Sequence, residues 1–305
     1  MLEKTLKQLL ESNHEFLNIV IDALPIPVFI KDNNGIYLGC NRAFEDFIGM
    51  SQDVMVDHSV YDLYPQEEAD LFFNKDKALL DNPGVQIYET DISTITGQQS
   101  VVRFHKSTYL NKDGSVAGLV GTIFDITHQK QLERDLDYRA SHDHLTGMYN
   151  RAYALQFLEA CLDDVSTTNQ PLSILMVDFD YFKELNDSYG HKAGDLALIS
   201  FATNMKQLCS RNNAIARFGG EEFLIILPDT GKILATQTAE KIRSYVEASC
   251  FDIAKDINWP LTVSIGVATT DVFVKADTLI MQADEALYNA KAAGRNCVIQ
   301  HIAGK

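Results

Sequence analysis

Along the first 20 residues, apolar side chains recur at Leu2, Leu6, Leu9, Leu10, Phe16, Leu17 and Val20, the spacing of a helix with one apolar face. That face fits packing against its own domain or pairing with a second copy. From Pro25 the period shortens. "PVFIKD" and "IYLGCN" flank the turn "NNG", a hairpin signal. Short helical pieces follow around "RAFEDFIGM" and "QEEADLFF". Three long strand-like runs come next, "VQIYETDIST", "QSVVRFHKSTYL" and "VAGLVGTIFDIT", the last two joined by "NKDG". Two strands, small helices and three strands predict one antiparallel sheet with helices over residues 21–127.

"DITHQKQLERDLDYRASHDHLTG" is charged, with Ile126, Leu132 and Leu136 as sparse apolar points. It predicts a helical linker over 128–142, which in a dimer would pair with its counterpart. Residues 143–305 then alternate. A helix near 150–164 precedes the apolar strand "LSILMVDFD", and "AGDLALISFATNMKQLC" is helical. "AIARF" and "FLIIL" form a hairpin around "GGEE". A helix near 232–248, the strand "LTVSIGVAT", the helix "ADTLIMQADEALYNAKAAG" and the strand "NCVIQ" complete the order. A hairpin inside a run of βα units implies a mixed sheet covered by helices, a palm-like α/β layout within an α+β chain.

Composition narrows the functions open to such a chain. The 305 residues suffice for two domains of ordinary size. A net charge of −16 disfavours non-specific binding to nucleic acid or anionic lipid. A polyanionic substrate would have to be held by a metal ion and a few local cations. The five cysteines, Cys40, Cys161, Cys209, Cys250 and Cys297, show no C-x-x-C spacing, so neither a zinc site nor a disulfide framework is indicated. With no signal-peptide core and no stretch long enough to span a bilayer, a cytoplasmic protein without a membrane span is expected.

Candidate chemistry concentrates in the second half. Asp178 and Asp180 end an apolar strand, where a charge requires exposure or a partner, and strand ends are where ligands gather in such sheets. Glu221 and Glu222 sit at a hairpin tip that glycines allow to bend tightly. Side by side, the two tips form an oxygen-rich site suited to Mg²⁺. The alternative is a solvated turn beside a helix N-terminus.

Motifs favour the first reading. "RFGGEEF" together with "VDFDYFKELNDSYGHKAGD" resembles the GGDEF family of diguanylate cyclases. "DHLTGMYNR" and "ADEALYNAKAAGRN" match too, and the four blocks fall in family order. The resemblance implies that Asp178, the backbone carbonyl of Phe179 and Glu221 hold Mg²⁺, with Mn²⁺ as an alternative. It implies that backbone N–H groups around Phe179–Phe182, with Lys183, cradle the β- and γ-phosphates at a helix start. Lys291 and Arg295, one turn apart on the last helix, would face the triphosphate. Asn186 and Asp195 would bond the guanine edge, Asp195 accepting from a donor pair that adenine lacks. Asp180 and Glu222 would tune the metal or take a proton.

The implied reaction joins two GTP molecules into cyclic di-GMP and two pyrophosphates, with a homodimer bringing two half-sites together. The alternatives are a catalytically silent GTP-binding or partner-binding receiver and, less well supported by Asp195, a cyclase making a single-nucleotide product. The family's Arg-x-x-Asp product-inhibition motif is replaced by Ser210 and Asn213, with Arg211 out of register, so inhibition there is expected to be absent or weak.

The first half resembles a PAS domain, on the order of its strands and on "NRAF", "YDLYP" and "DIT". The resemblance implies dimerisation and sensing of an unknown signal. Cys40 lacks the surroundings of flavin photosensors. His58 and His105, each alone, are more often structural than haem ligands, so no PAS ligand is named.

Overall fold

The structure is a computed structural model that describes residues 19–93, 99–168, 170–210, 212–249 and 259–302. The helix expected at 1–20 falls almost entirely outside these residues. The chain divides between Arg134 and Asp135 into two compact units.

The N-terminal unit is a five-stranded sheet in the order β2-β1-β5-β4-β3. Its strands are β1 (Val28–Asp32), β2 (Tyr37–Cys40), β3 (Val85–Ser93), β4 (Gln99–Leu110) and β5 (Val116–Asp125), all paired antiparallel. Four helices lie between β2 and β3: α1 (Arg42–Ile48), α2 (Gln52–Met55), α3 (Val60–Leu63) and α4 (Gln66–Asp81). Asn41 caps α1 through its side chain and also accepts from Val28 N–H, tying the helix start to β1. Alternation along β4 sends Val102 and Phe104 into a core with Phe29, Phe44 and Phe72.

The same alternation buries charge. Lys31 follows Phe29 by two positions, Lys106 follows Phe104 by two, and Asp76 follows Phe72 by one helical turn. All three are at most 3% exposed. Asp76 receives both ammoniums, at 2.6 Å from Lys31 and 2.5 Å from Lys106.

α5 (Thr127–Ser141) carries the chain across the unit boundary with no buried side chain; Leu132 and Leu136 are exposed on it.

The C-terminal unit is a six-stranded mixed sheet in the order β11-β10-β7-β9-β8-β6. Its strands are β6 (Tyr149–Asn150), β7 (Leu172–Phe179), β8 (Ala214–Arg217), β9 (Glu222–Leu227), β10 (Val263–Thr270) and β11 (Val298–Gln300). β10–β11 and β6–β8 run parallel and the other pairs antiparallel. The helices are α6 (Arg151–Thr168), α7 (Phe182–Tyr189), α8 (His191–Leu208), α9 (Lys232–Ala248) and α10 (Ala276–Ala292).

Every residue of β7 is buried, because helices cover both faces. Leu175, Val177 and Phe179 pack with α7, α8 and α9, while Leu172, Ile174 and Met176 pack with α6 and α10. The fold is α+β, an antiparallel sheet with helices followed by a palm-like α/β unit. Among the described residues no helix is long and apolar enough to cross a membrane.

Candidate active site

β7 and β9 bring the two acidic segments together. Asp178 lies opposite Glu222 in their ladder and opposite Ser264 on β10. The β8–β9 turn closes with Phe218 N–H and Gly219 N–H both donating to Glu222 O. Neither Gly219 nor Gly220 has a positive φ, so the turn does not use the conformational freedom expected of its glycines. What Gly219 supplies is space: a Cβ there would lie 2.5 Å from Glu222 Oε2. The Glu222 carboxylate therefore folds back over the turn.

The hairpin tip is anchored by a pair that sequence reasoning left without a role. Arg217 donates from Nε and Nη2 to Gly220 O, at 3.0 and 2.8 Å, and from Nη1 to Asp143. Asp143 also accepts from the amide and hydroxyl of Thr146. Burial pushes its carboxyl up, but Thr146 and Arg217 outweigh this and hold it below the usual range. The signal was present in "DHLTG", where an acid and a threonine three apart can close such a loop.

Asp178 is 6% exposed. Burial pushes its carboxyl up to about 6; Lys291 opposes the rise, and the charges of Glu221 and Glu222 add to it. Lys291 Nζ stands 2.9 Å from Asp178 Oδ2. The lysine expected to face a triphosphate thus pairs with the first acidic residue instead. Asp284, two turns before Lys291 on the same face of α10, is also raised, by burial and by Glu222. The centre gathers more carboxylate than ammonium.

Asp180, expected to tune a metal or take a proton, has another task. It is buried and accepts from Thr262 Oγ1, Ser264 Oγ and the Asn296 amide at 2.8, 2.7 and 3.0 Å. Asn296 in turn accepts from Arg243 and donates to Glu247. This network fixes the loop after α10, and with it Arg295. Arg295 is not on the last helix: α10 ends at Ala292, and Gly294 turns the chain with φ 115°. Its guanidinium lies over the Tyr181 ring, 4.7 Å from the centroid. Among the described residues, three of the five non-glycine residues with positive φ, Tyr181, Arg295 and Asn296, meet here, and such backbone strain collects at functional sites.

α7 begins at Phe182 with no side chain capping it, so its first-turn N–H groups, including that of Lys183, lack intrahelical partners. The Phe179 and Phe182 rings go to the core, 5.8 Å apart; what either offers a ligand is backbone. Lys183 is exposed. Asn186 on α7 meets α8 at Gly194, where a Cβ would lie 2.2 Å from Asn186 Oδ1. Only glycine permits this approach. Among the described residues Asn186 Oδ1 is buried without a hydrogen-bond partner, and Asp195, next in the chain to Gly194, is exposed. An orphaned acceptor and, on the residue after Gly194, an exposed carboxylate suit a ligand edge rich in N–H donors.

Among the described residues no three Asp, Glu, His or Cys side chains cluster as a metal cage. Two carboxylates and a main-chain carbonyl nevertheless make an all-oxygen donor set of the kind Mg²⁺ takes, and the raised Asp178 is a carboxylate short of positive charge. Ser210 and Asn213 form a turn, with Asn213 N–H donating to Ser210 O; Arg211 lies outside the described residues.

Comparison with known proteins finds matches to both units. The PAS fold profile matches residues 21–131. Response regulator PleD of Caulobacter vibrioides is 38% identical over 173 residues, 55% of this chain and 38% of that protein. Diguanylate cyclase DgcM of Escherichia coli is 38% identical over 178 residues, 58% of this chain and 42% of that protein. The chain therefore spans about two fifths of the length of these relatives. The solved coiled-coil and GGDEF domain of DgcB from Caulobacter crescentus, in complex with c-di-GMP, superposes with a TM-score of 0.54 at 26% identity, covering 57% of this chain and 93% of that one. The profile described as "Diguanylate cyclase, GGDEF domain" matches residues 140–297, more than half of the sequence, and the chain belongs to that family.

Proposed function

We propose that the chain is a diguanylate cyclase, condensing two GTP into cyclic di-GMP and two pyrophosphates. The observation that carries this is the meeting, at one end of β7, of a cation-poor acidic pair with an uncapped helix start and an orphaned Asn186 acceptor. Kinship with cyclases over the same residues supports it.

Asn186 and Asp195 bind the guanine edge. The first-turn N–H groups at Phe182 and Lys183, with the Lys183 ammonium, take the β- and γ-phosphates. Lys291 leaves Asp178 for the triphosphate when nucleotide arrives, and Arg295 supplies a second cation from its braced loop. Asp178, the Phe179 carbonyl and Glu221 hold Mg²⁺, with Mn²⁺ as an alternative. When bound, the ion neutralises phosphate charge and lowers the barrier to hydroxyl attack.

Two half-sites from a homodimer face each other. Each 3′-hydroxyl oxygen bonds to the partner's α-phosphorus, the bond from that phosphorus to the β-phosphate oxygen breaks, and pyrophosphate leaves. Glu222 is assigned the 3′-hydroxyl proton. Positioning supplies most of the rate. Exposed Leu132 and Leu136 on α5 are the face through which copies pair, and the PAS unit regulates through that pairing. Ser210 and Asn213 leave no Arg-x-x-Asp inhibition site. We place the protein in the cytoplasm. The domains are assigned as 21–127 for sensing, 128–142 for the linker and 143–305 for catalysis, after an N-terminal helix at 1–20.

The test is incubation with GTP and Mg²⁺, with products identified by mass and Glu221→Gln alongside. Cyclic di-GMP from the parent protein alone is expected. No product from either, together with GTP binding by titration, would instead identify a silent receiver.

A further inference from the structure

Lys31, Lys106 and Asp76 place two ammoniums and one carboxylate inside the N-terminal core. Each ammonium carries three N–H donors. Among the described residues each has one hydrogen-bond acceptor, a single oxygen of Asp76. The rest of each ammonium faces rings: Lys31 Nζ is 4.3 Å from the Tyr37 centroid, and Lys106 Nζ is 4.9 Å from that of Phe104. Ring faces temper a cation but do not replace an anionic acceptor.

Both lysines line an inner cavity with Phe29, Phe72, Phe104 and Ile123, which leaves about 20 Å³ in which atoms the size of a water oxygen can be centred. That is space for about one water, so a larger ligand enters by displacing the aromatic walls. Asp76 lines a separate outer cleft of about 230 Å³, between the β1–β2 turn and α4. The ion triad therefore stands between the inner cavity and the surface. Burial lowers Lys106 to about 8 against the pull of Asp76, which leaves it charged at neutral pH.

A buried site with surplus positive charge, spare donors and an aromatic wall selects one ligand chemistry: a small anion with an apolar body. We propose that the N-terminal unit binds a small monocarboxylate of acetate or propionate size, its carboxylate on Lys31 and Lys106 beside Asp76 and its alkyl group among Phe29, Phe72 and Phe104.

The test is calorimetric titration of the full chain with acetate and propionate, against acetamide, propionamide and chloride at constant pH and ionic strength, with thermal unfolding in parallel. Saturable binding and a raised Tm are expected for the carboxylates, and neither for the amides. Lys31→Met and Lys106→Met should each weaken binding by about tenfold or more. Equal binding of the amides would overturn the charge requirement, and equal binding of chloride would overturn the carboxylate assignment. Unchanged affinity in both folded variants would remove the site from the lysine pair, and no saturable binding would remove it altogether. If neither variant folds, the carboxylate, amide and chloride series on the parent protein decides alone.

Discussion

Asp76 in the N-terminal unit and Asp178 in the C-terminal unit are both buried, 3% and 6% exposed, and both touch a lysine ammonium. Their states differ. Burial pushes the Asp76 carboxyl up, yet Lys31 and Lys106 together overcome it and hold it below the usual range. At Asp178 burial wins: one lysine faces a site shared with Glu221 and Glu222, and the carboxyl rises to about 6. The ratio of charges, more than depth, decides the outcome. Each unit also carries an imbalance of charge, two lysines on one carboxylate at Asp76 and one lysine against several acidic charges at Asp178.

The largest effect should come from removing the acid that the cation needs. Glu221→Gln is expected to lower cyclic di-GMP formation by about 10³-fold with the fold intact, measured by product mass and circular dichroism. Asp76→Asn strands two buried ammoniums and should destabilise the N-terminal unit by about 3–5 kcal/mol. The single tryptophan, Trp259, packs on Tyr189 in the other unit. Its fluorescence should therefore keep its own unfolding transition while circular dichroism reports the earlier loss. Arg217→Ala frees the hairpin tip from Asp143 and should lower kcat by about 10²-fold with little change in GTP affinity.

Asp178→Asn should act in the opposite sense to Asp76→Asn, stabilising the C-terminal unit by about 1–3 kcal/mol at pH 7 while abolishing activity. The sign follows from linkage. With its folded value near 6, Asp178 binds protons more tightly folded than unfolded between about pH 4 and 6, so its contribution to stability falls as pH rises through that window. The gain from Asp178→Asn should therefore shrink toward pH 5, as seen in urea titrations followed by Trp259. By the same reasoning, kcat/KM for GTP should fall below about pH 6, as the proton competes with the cation.

Much of this was legible in the chain and some was not, for physical reasons. The apolar run of β7 and the glycine-marked hairpin made the strands and the turn legible, because local pattern dictates each, while the meeting of Asp178 with Glu222 depends on the β7–β9 pairing. The role of Asp180 was hidden: its partners Thr262, Ser264 and Asn296 are more than 80 positions away, and only the folded ladder brings them to it. Arg295 was misplaced because Gly294 ends α10 one turn earlier than an i, i+4 pair requires. The buried triad could have been found. Lys31, Lys106 and Asp76 each occupy a core-facing position of the local period, and a charge there demands a partner.

The most direct measurement is the titration of the Asp178 carboxyl by ¹³C NMR, with Asp178→Asn to assign the signal, before and after adding Mg²⁺ with an unreactive GTP analogue. A midpoint near 6 that drops into or below the usual carboxylate range on addition is the predicted result. A midpoint already in the usual range, or one that ignores the cation and nucleotide, would contradict the view that this site is built short of positive charge for a metal-bound triphosphate to supply.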